Sequence, residues 1–462
     1  MRYKLSLIVV ALSFAAAIAA PPLETKPGDP CFAKFEPLKA PAPAGLLLKP
    51  GDRLAICGDS ITQQQMYSRI METYLTVCVP ELGVTARQYG WSGERAPGFL
   101  ARMTNDCLRF SPTIATTCYG MNDHEYRPYE ERIGKTYCEK TTAIVQSFKQ
   151  AGARVVLGSP GCVGKMPSWV KTASGTVEDL NLSLCKLRNM DIEVAAKERV
   201  AFADVFWPMF TAGFEARQKY APDYAIAGKD GVHPGWAGHL VMAYAYLKAM
   251  GLDGDLGTFR MDLTTGRATT SFSSPAGHEN VSSKPGEATF KSSRYPFCAT
   301  GDEKSDATIR SGMTLVPFNR DLNRLILIAK NGGAKSYKVT WGSETRSYSA
   351  EQLARGVNLA ADFAVNPFSD AFKKVDAAVQ AKQAYEQKQI QRIFHDLMKG
   401  KFKSADEIKD PEIKGLFAVR DAAGKLDREA IVKATEAKRA PLAAAIKTAF
   451  VPVTHTIKIA AE

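Results

Sequence analysis

The sequence predicts an α/β fold with a parallel sheet covered on both faces. Two observations carry that prediction. From about 51 to 252, short β-branched runs alternate with helical stretches, the pattern of βαβ units. The chain's most chemically suggestive residues, Ser60, Gly93 and Asn122, each follow one of the candidate strands, and ligands of such sheets bind beyond the strands' carboxyl ends. The candidate strands are 53–57, 84–89, 113–118, 153–158 and 200–204. The candidate helices are about 63–77, 97–109, 132–150, 177–197 and 235–250.

The regions around that segment read differently. Met1-Arg2-Tyr3-Lys4 gives a basic start, Leu5 to Ala16 an apolar core and Ala17-Ile18-Ala19 a small-residue cleavage signal. Residues 1–19 are therefore expected to be a cleaved signal peptide, which places the protein in the periplasm or outside the cell. The run is shorter than the roughly 20 residues a spanning helix needs. Residues 20–50 are rich in Pro and Ala and read as a linker. From 253 to 365, Thr, Ser and Gly become dense, and a small β-rich module is expected. There Leu325 to Lys330 and Ser336 to Trp341 flank Asn331-Gly332-Gly333, which reads as a hairpin. From 366 to 462 the chain turns mainly helical, as in Ala377 to Lys399, and Phe450 to Ile459 alternates like a strand returning to the β module. These additions are expected to pack on the α/β domain, to form a homodimer contact or to bind polymer.

Composition narrows the function classes. The chain has 462 residues, 45% hydrophobic and 23% charged, with a formal net charge of +12. Its lysines and arginines are dispersed among acids, without the dense basic run or interleaved aromatics of a nucleic-acid binder. Patterns for nucleotide phosphates, such as Gly-x-Gly-x-x-Gly or a P-loop, are missing, and so are His-Glu-x-x-His and Cys-x-x-Cys. No cofactor and no metal is expected. All nine cysteines (31, 57, 78, 107, 118, 138, 162, 185 and 298) lie beyond the signal. In an oxidising compartment several should pair, with connectivity left open and at least one free. Cys57 and Cys118 could equally be small buried hydrophobes.

The chemistry concentrates in four blocks. Gly58-Asp59-Ser60-Ile61 follows the apolar run Leu54 to Cys57. Trp91-Ser92-Gly93-Glu94-Arg95, Tyr119-Gly120-Met121-Asn122-Asp123 and Asp230-Gly231-Val232-His233-Pro234 come later. A serine hydroxyl is a weak nucleophile until a base takes its proton, and that base must be held by a third group. Asp230 and His233 are three positions apart across a glycine turn, a spacing that lets the carboxylate orient the imidazole toward Ser60. His124 is expected at the site rim, and His239 packed or solvated. His278, His395 and His455 lie outside the four blocks.

In this order the four blocks resemble those of the SGNH (GDSL) hydrolases, over roughly residues 50–252. The resemblance implies a flavodoxin-like three-layer α/β/α domain and a serine esterase working through an acyl-enzyme. It implies a triad of Ser60, His233 and Asp230. By the same resemblance, the N–H groups of Ser60 and Gly93 and the Asn122 amide form the oxyanion hole. Gly93 suits that role because the missing Cβ lets a substrate oxygen approach its N–H. The expected substrate is a small ester or an acetylated polysaccharide, with O-deacetylation of carbohydrate preferred. The polar residues Glu94, Arg95, Asp123, His124, Glu125, Tyr126 and Arg127 favour a sugar. The alternative is a lipid or general short-chain carboxylesterase of lysophospholipase type. A glycan-binding protein on the same scaffold is the third reading.

Overall fold

The computed structural model describes residues 22–272 and 277–462. The expected signal peptide lies outside the described residues. Five strands form the first sheet: β1 (Arg53–Gly58), β2 (Thr85–Gln88), β3 (Ile114–Cys118), β4 (Arg154–Gly158) and β5 (Ala201–Ala203). Their order is β2-β1-β3-β4-β5, with every pair parallel. All five fall where the sequence places them. Side chains alternate between the two faces: Leu54 and Ile56 join one buried cluster, Ala55 and Cys57 the other, as the two-residue period of a strand requires. This is the flavodoxin-like order, whose crossover direction reverses between β1 and β3.

Helices cover both faces: α1 (Ser60–Gln63), α2 (Tyr67–Val77), α3 (Ala96–Asp106), α4 (Glu131–Gln150), α5 (Val177–Glu198), α6 (Phe206–Lys219) and α7 (Trp236–Ala249). The helix expected over 63–77 is two pieces, because Gln65 takes a left-handed φ of 57° between them. The sequence reading missed α6. Its first turn carries Pro208, a residue that reads as a breaker but is tolerated there, where its missing N–H has no intrahelical partner to lose.

Residues 22–50 contain one short 3-10 turn, Pro30–Phe32, yet they are packed. Phe32 lies edge-on to Trp207 and Phe214, with ring centroids 5.8 and 5.0 Å apart. Arg188, on α5, donates to Leu38 O at 2.7 Å. The cysteines depart from expectation, since all nine are free. Cys57 and Cys118 sit on adjacent strands but face opposite layers, and seven of the nine thiols are buried. They fill core space as small hydrophobes.

Beyond α7 the chain adds β6 (Asp255–Asp262), β7 (Ala268–Thr270), β8 (His278–Lys284), β9 (Glu287–Ser292), β10 (Arg324–Lys330), β11 (Ser336–Trp341), β12 (Glu344–Ser349), β13 (Val357–Asn358) and β14 (Val453–Ala461). They make two sheets, β13-β10-β6-β7 and β12-β11-β14-β9-β8. The expected hairpin across Asn331-Gly332-Gly333 is not formed. Both strands exist, but β10 pairs in parallel with β6 while β11 belongs to the other sheet. The hairpin is β11–β12, closed by Gly342-Ser343 with Trp341 opposite Glu344. Gly342 has φ +67°, the left-handed first position that a tight two-residue hairpin turn demands. The last strand does return, as the middle strand β14 of the second sheet.

The C-terminal helices complete the α/β domain. β2 is an edge strand, and a bare edge exposes unpaired backbone groups. Here helix Ser369–Gln387 lies along it. Ala86 O accepts from Lys382 Nζ and, at 3.2 Å, from Arg439 of helix Arg428–Ala449. The Gln88 N–H donates to Glu386 at 3.2 Å. Lys382 is buried between Glu72 at 2.8 Å and Glu386 at 3.0 Å. Burial opposes the charge of Glu386, but Lys382, Arg439 and Arg87 together hold its carboxyl below the ordinary range.

Removing one partner of a buried charge network leaves the others uncompensated, at a cost of about 3–5 kcal/mol. Lys382→Met should therefore lower urea stability by about that amount. A loss within error of zero would show that the remaining groups balance one another without it. Deleting residues 366–462 should leave β2 uncovered and yield insoluble protein; a soluble, folded remnant would contradict the edge argument.

Candidate active site

β1 ends at Gly58, and the chain turns sharply into α1. Asp59 caps that helix, its carboxylate accepting from Ile61 N–H at 2.9 Å. Ser60 is thus the first helical residue, half-buried beyond the carboxyl end of β1. Ser60 Oγ lies 2.8 Å from His233 Nε2. His233 Nδ1 lies 2.7 Å from Asp230 Oδ2. An ionised carboxylate can only accept, so Nδ1 carries the proton and Nε2 faces the serine. Asp230 Oδ1 also accepts from the N–H groups of Val232 and His233, at 2.9 and 2.8 Å. Burial opposes the charge of Asp230, but these N–H groups and the ring outweigh it and hold the carboxyl below its ordinary value. The turn depends on Gly231, whose φ is +86° and whose absent Cβ would sit 2.6 Å from Lys165 backbone.

The other two predicted blocks converge on the same rim. Trp91 to Glu94 form a turn closed by Glu94 N–H to Trp91 O at 3.1 Å. Gly93, at φ +71°, takes the third position, where a type II turn needs glycine. A Cβ there would meet nothing within 4 Å, so the space beside the turn is open. Asn122 follows β3. Its amide donates to Glu94 O at 3.1 Å and, at a long 3.4 Å, to Asp59; its oxygen accepts from Tyr126 OH at 3.0 Å. Glu125 and Tyr126 both have left-handed φ, 56° and 54°, strain that places the tyrosine under Asn122.

Several polar residues read as substrate contacts serve the architecture instead. Glu94 is buried and gripped by Arg102, whose Nε and Nη2 each donate to it at 2.6 Å. Asp123 accepts from Ala96 and Gly120 N–H, both at 2.9 Å, and so ties the second block to the third. His124 is not at the rim. It is fully buried, and burial lowers its pKa to about 4. His239 is also fully buried, accepting from Tyr67 N–H at Nδ1 and facing Gln64 with Nε2. His278 and His455 share Ser292 within the β module. Arg95, Glu125 and Arg127 remain toward solvent, joined by ion pairs.

Other neighbours of the site left no motif in the sequence. Trp169, 47% exposed, has its ring centroid 5.7 Å from that of His233. From the far end of the chain, the π-helical stretch Lys388–Leu397 reaches the Gly93 turn. There Gln391 donates to Gly90 O at 3.1 Å and to Gln63 Oε1 at 3.0 Å, and that same oxygen accepts from Ser92 N–H. His395 packs edge-on against Trp91 at 4.5 Å and binds Asp106. Only a metal-ligand spacing or a motif could have flagged these residues, and they have neither. Among the described residues no group of His, Cys, Asp and Glu is placed to hold a metal, and no helix is long and apolar enough to cross a membrane.

Asp59 carries a pH consequence. Burial, with the charges of Asp123 and Glu94, pushes its pKa up to about 7. A carboxyl with a raised pKa binds its proton more readily in the folded than in the unfolded protein. Its stabilising effect is complete below about pH 4 and is lost as the pH rises through about 7. Asp59→Asn should therefore shrink the fall in Tm between pH 5 and pH 8. An unchanged fall would remove Asp59 as its source.

The sequence model of the GDSL-like lipase/acylhydrolase family matches residues 56–241. Among solved structures, a gut microbial diltiazem-metabolizing enzyme is similar with a TM-score of 0.69 and 22% identity, covering 91% of this chain and 100% of that one. The acetylxylan esterase Axe2 from Geobacillus stearothermophilus is 21% identical with a TM-score of 0.37, over 45% of this chain and 97% of that one. No curated protein matches significantly. The first of these likenesses extends the fold beyond the α/β domain into the C-terminal sheets and helices. Family match, sheet order and the setting of Ser60 agree: residues 56–241 form a GDSL-like lipase/acylhydrolase domain, and the protein is an ester-bond hydrolase.

Proposed function

We propose that Ser60, His233 and Asp230 act as a catalytic triad in the deacetylation of O-acetylated carbohydrate. The observation that carries the triad is the unbroken relay from Ser60 Oγ through both ring nitrogens of His233 to Asp230, at 2.8 and 2.7 Å. Ser60 Oγ attacks the ester carbonyl while His233 Nε2 takes its proton, and Asp230 stabilises the imidazolium. The carbonyl oxygen becomes negative and meets the N–H groups of Ser60 and Gly93 and the Asn122 amide. His233 then returns the proton to the departing sugar hydroxyl, leaving acetyl on Ser60. Water, deprotonated by the same nitrogen, releases acetate and restores the serine.

The choice of a sugar rests on the rim. Ser92 and Arg95 are exposed on one side of Ser60, and the indole of Trp169 lies open beside His233. Hydroxyl-rich rings bond the former, and their apolar C–H faces stack on the latter.

Ser60→Ala should abolish labelling by a fluorophosphonate and reduce turnover of p-nitrophenyl acetate by several orders of magnitude, since triad members act as a unit. Asn122→Ala should lower kcat by about 10²–10³, the loss expected for one oxyanion donor. Retained kcat in that variant would mean the amide does not face the developing charge. Across p-nitrophenyl esters, acetyl should be preferred and activity should fall beyond C4. An acyl tunnel would instead reward each buried CH₂ by about 0.8 kcal/mol, so rates climbing toward C8 would reverse the assignment in favour of a lipid esterase.

A further inference from the structure

Beside the turn that presents Asp230 and His233 lies an open cavity of about 630 Å³, within the roughly 300–1,000 Å³ of small-molecule sites. Its walls are the loop after β4, the end of α6, the segment leading into Asp230, and residues 304–306. Lys165, Arg217, Lys229 and Lys304 line it, against two acids, Asp223 and Asp306. Asp306 already accepts from Ala225 N–H at 3.0 Å. The four cations are exposed, and no ion pair or side-chain hydrogen bond engages them among the described residues. That contrasts with the cations around the oxyanion turn and the β2 edge, where Arg102, Lys382 and Arg439 are all paired.

The cavity and the catalytic turn share a wall. Gly164 N–H donates to Gly231 O at 2.8 Å, and Lys229 directly precedes Asp230. Trp169 belongs to the same loop as Lys165, so one loop carries both the indole beside His233 and a cation of the cavity. The surplus positive charge therefore stands next to the turn that carries Asp230 and His233. The cations are gathered in a concave cavity, not spread as the stripe that tracks a nucleic-acid backbone.

We propose that this cavity is a subsite for an acidic sugar unit, so that the preferred substrate is an O-acetylated anionic glycan; this rests on the deacetylase reading above. The shared chemistry is a carboxylate or sulfate group borne on a sugar ring. Neutral glycans are then poorer substrates because they leave the cations solvated and gain no ionic contact.

Calorimetry with the full-length protein tests the cavity without turnover. Acetyl-free tetragalacturonate should bind at least tenfold more tightly than its carboxyl-reduced form, and raising NaCl from about 50 to 300 mM should weaken it, as exposed charges are screened. A sulfated galactan oligomer, run in parallel, separates sulfate from carboxylate as the recognised group. The double substitution Lys165→Gln/Arg217→Gln, checked by an unchanged thermal transition, should reduce acidic-ligand binding at least fivefold. Equal affinity for acidic and neutral ligands, or undiminished binding by the double variant, overturns the subsite. In kinetics, the wild-type preference for acetylated polygalacturonate over its carboxyl-reduced form should fall toward one in the double variant, and an undiminished preference also counts against the cavity. Failure of the deacetylase reading shows elsewhere, as ester turnover surviving Ser60→Ala, and leaves the binding result to stand or fall by itself.

Discussion

Parallel pairing of β1 with both β2 and β3 delivers three carboxyl ends to one rim, and the remainder of the site hangs on that alignment. Gly58 stands opposite Cys118, and Ile56 opposite Gln88. The turn after each strand therefore emerges at the same end of the sheet. Ser60, Gly93 and Asn122 are brought together by strand register, although 62 positions separate the first from the last. Asp230 and His233 come from a loop between helices, so their meeting with Ser60 depends on the packing of α7 against the sheet.

Alignment of strands does not hold loops rigid, and here buried charge performs that task. Glu94, clasped by Arg102, accepts from Tyr119 OH at 3.0 Å and carries on its backbone the carbonyl that positions Asn122. Asp123 joins the third block to the start of α3. These interactions consume Glu94 and Asp123, two of the polar side chains that would otherwise suggest a hydrophilic binding surface. Oxyanion stabilisation needs donors fixed before reaction, and a salt bridge shielded from water holds geometry more firmly than a solvated one.

The C-terminal additions serve the same end from outside. Lys382, Glu386 and Arg439 bond the open edge of β2, and Gln391 and His395 brace the turn that contains Gly93. The edge strand thereby gains partners without gaining a sixth strand, and the additions are part of the hydrolase's own packing. That arrangement joins the stability of the sheet edge to the rigidity of the oxyanion turn, through helices that lie 300 residues further along the chain.

What the sequence determined by itself is local: the five apolar runs, the turn glycines, and the serine, asparagine, aspartate and histidine whose types and order match a hydrolase. Each is legible because strand burial and turn geometry constrain neighbouring residues directly. The sequence also placed β10, β11 and β14 but joined β10 to β11 across Asn331-Gly332-Gly333, since a glycine turn permits a hairpin without requiring one; pairing was decided by β6 and β14. The free cysteines, the burial of His124, Tyr126 beneath Asn122, Trp169 beside His233 and the cationic cavity were decided by tertiary structure alone. Those features arise from contacts between residues far apart in the chain, whose free energy depends on burial and on which charges meet, and neither quantity is written in the order of residues along a segment.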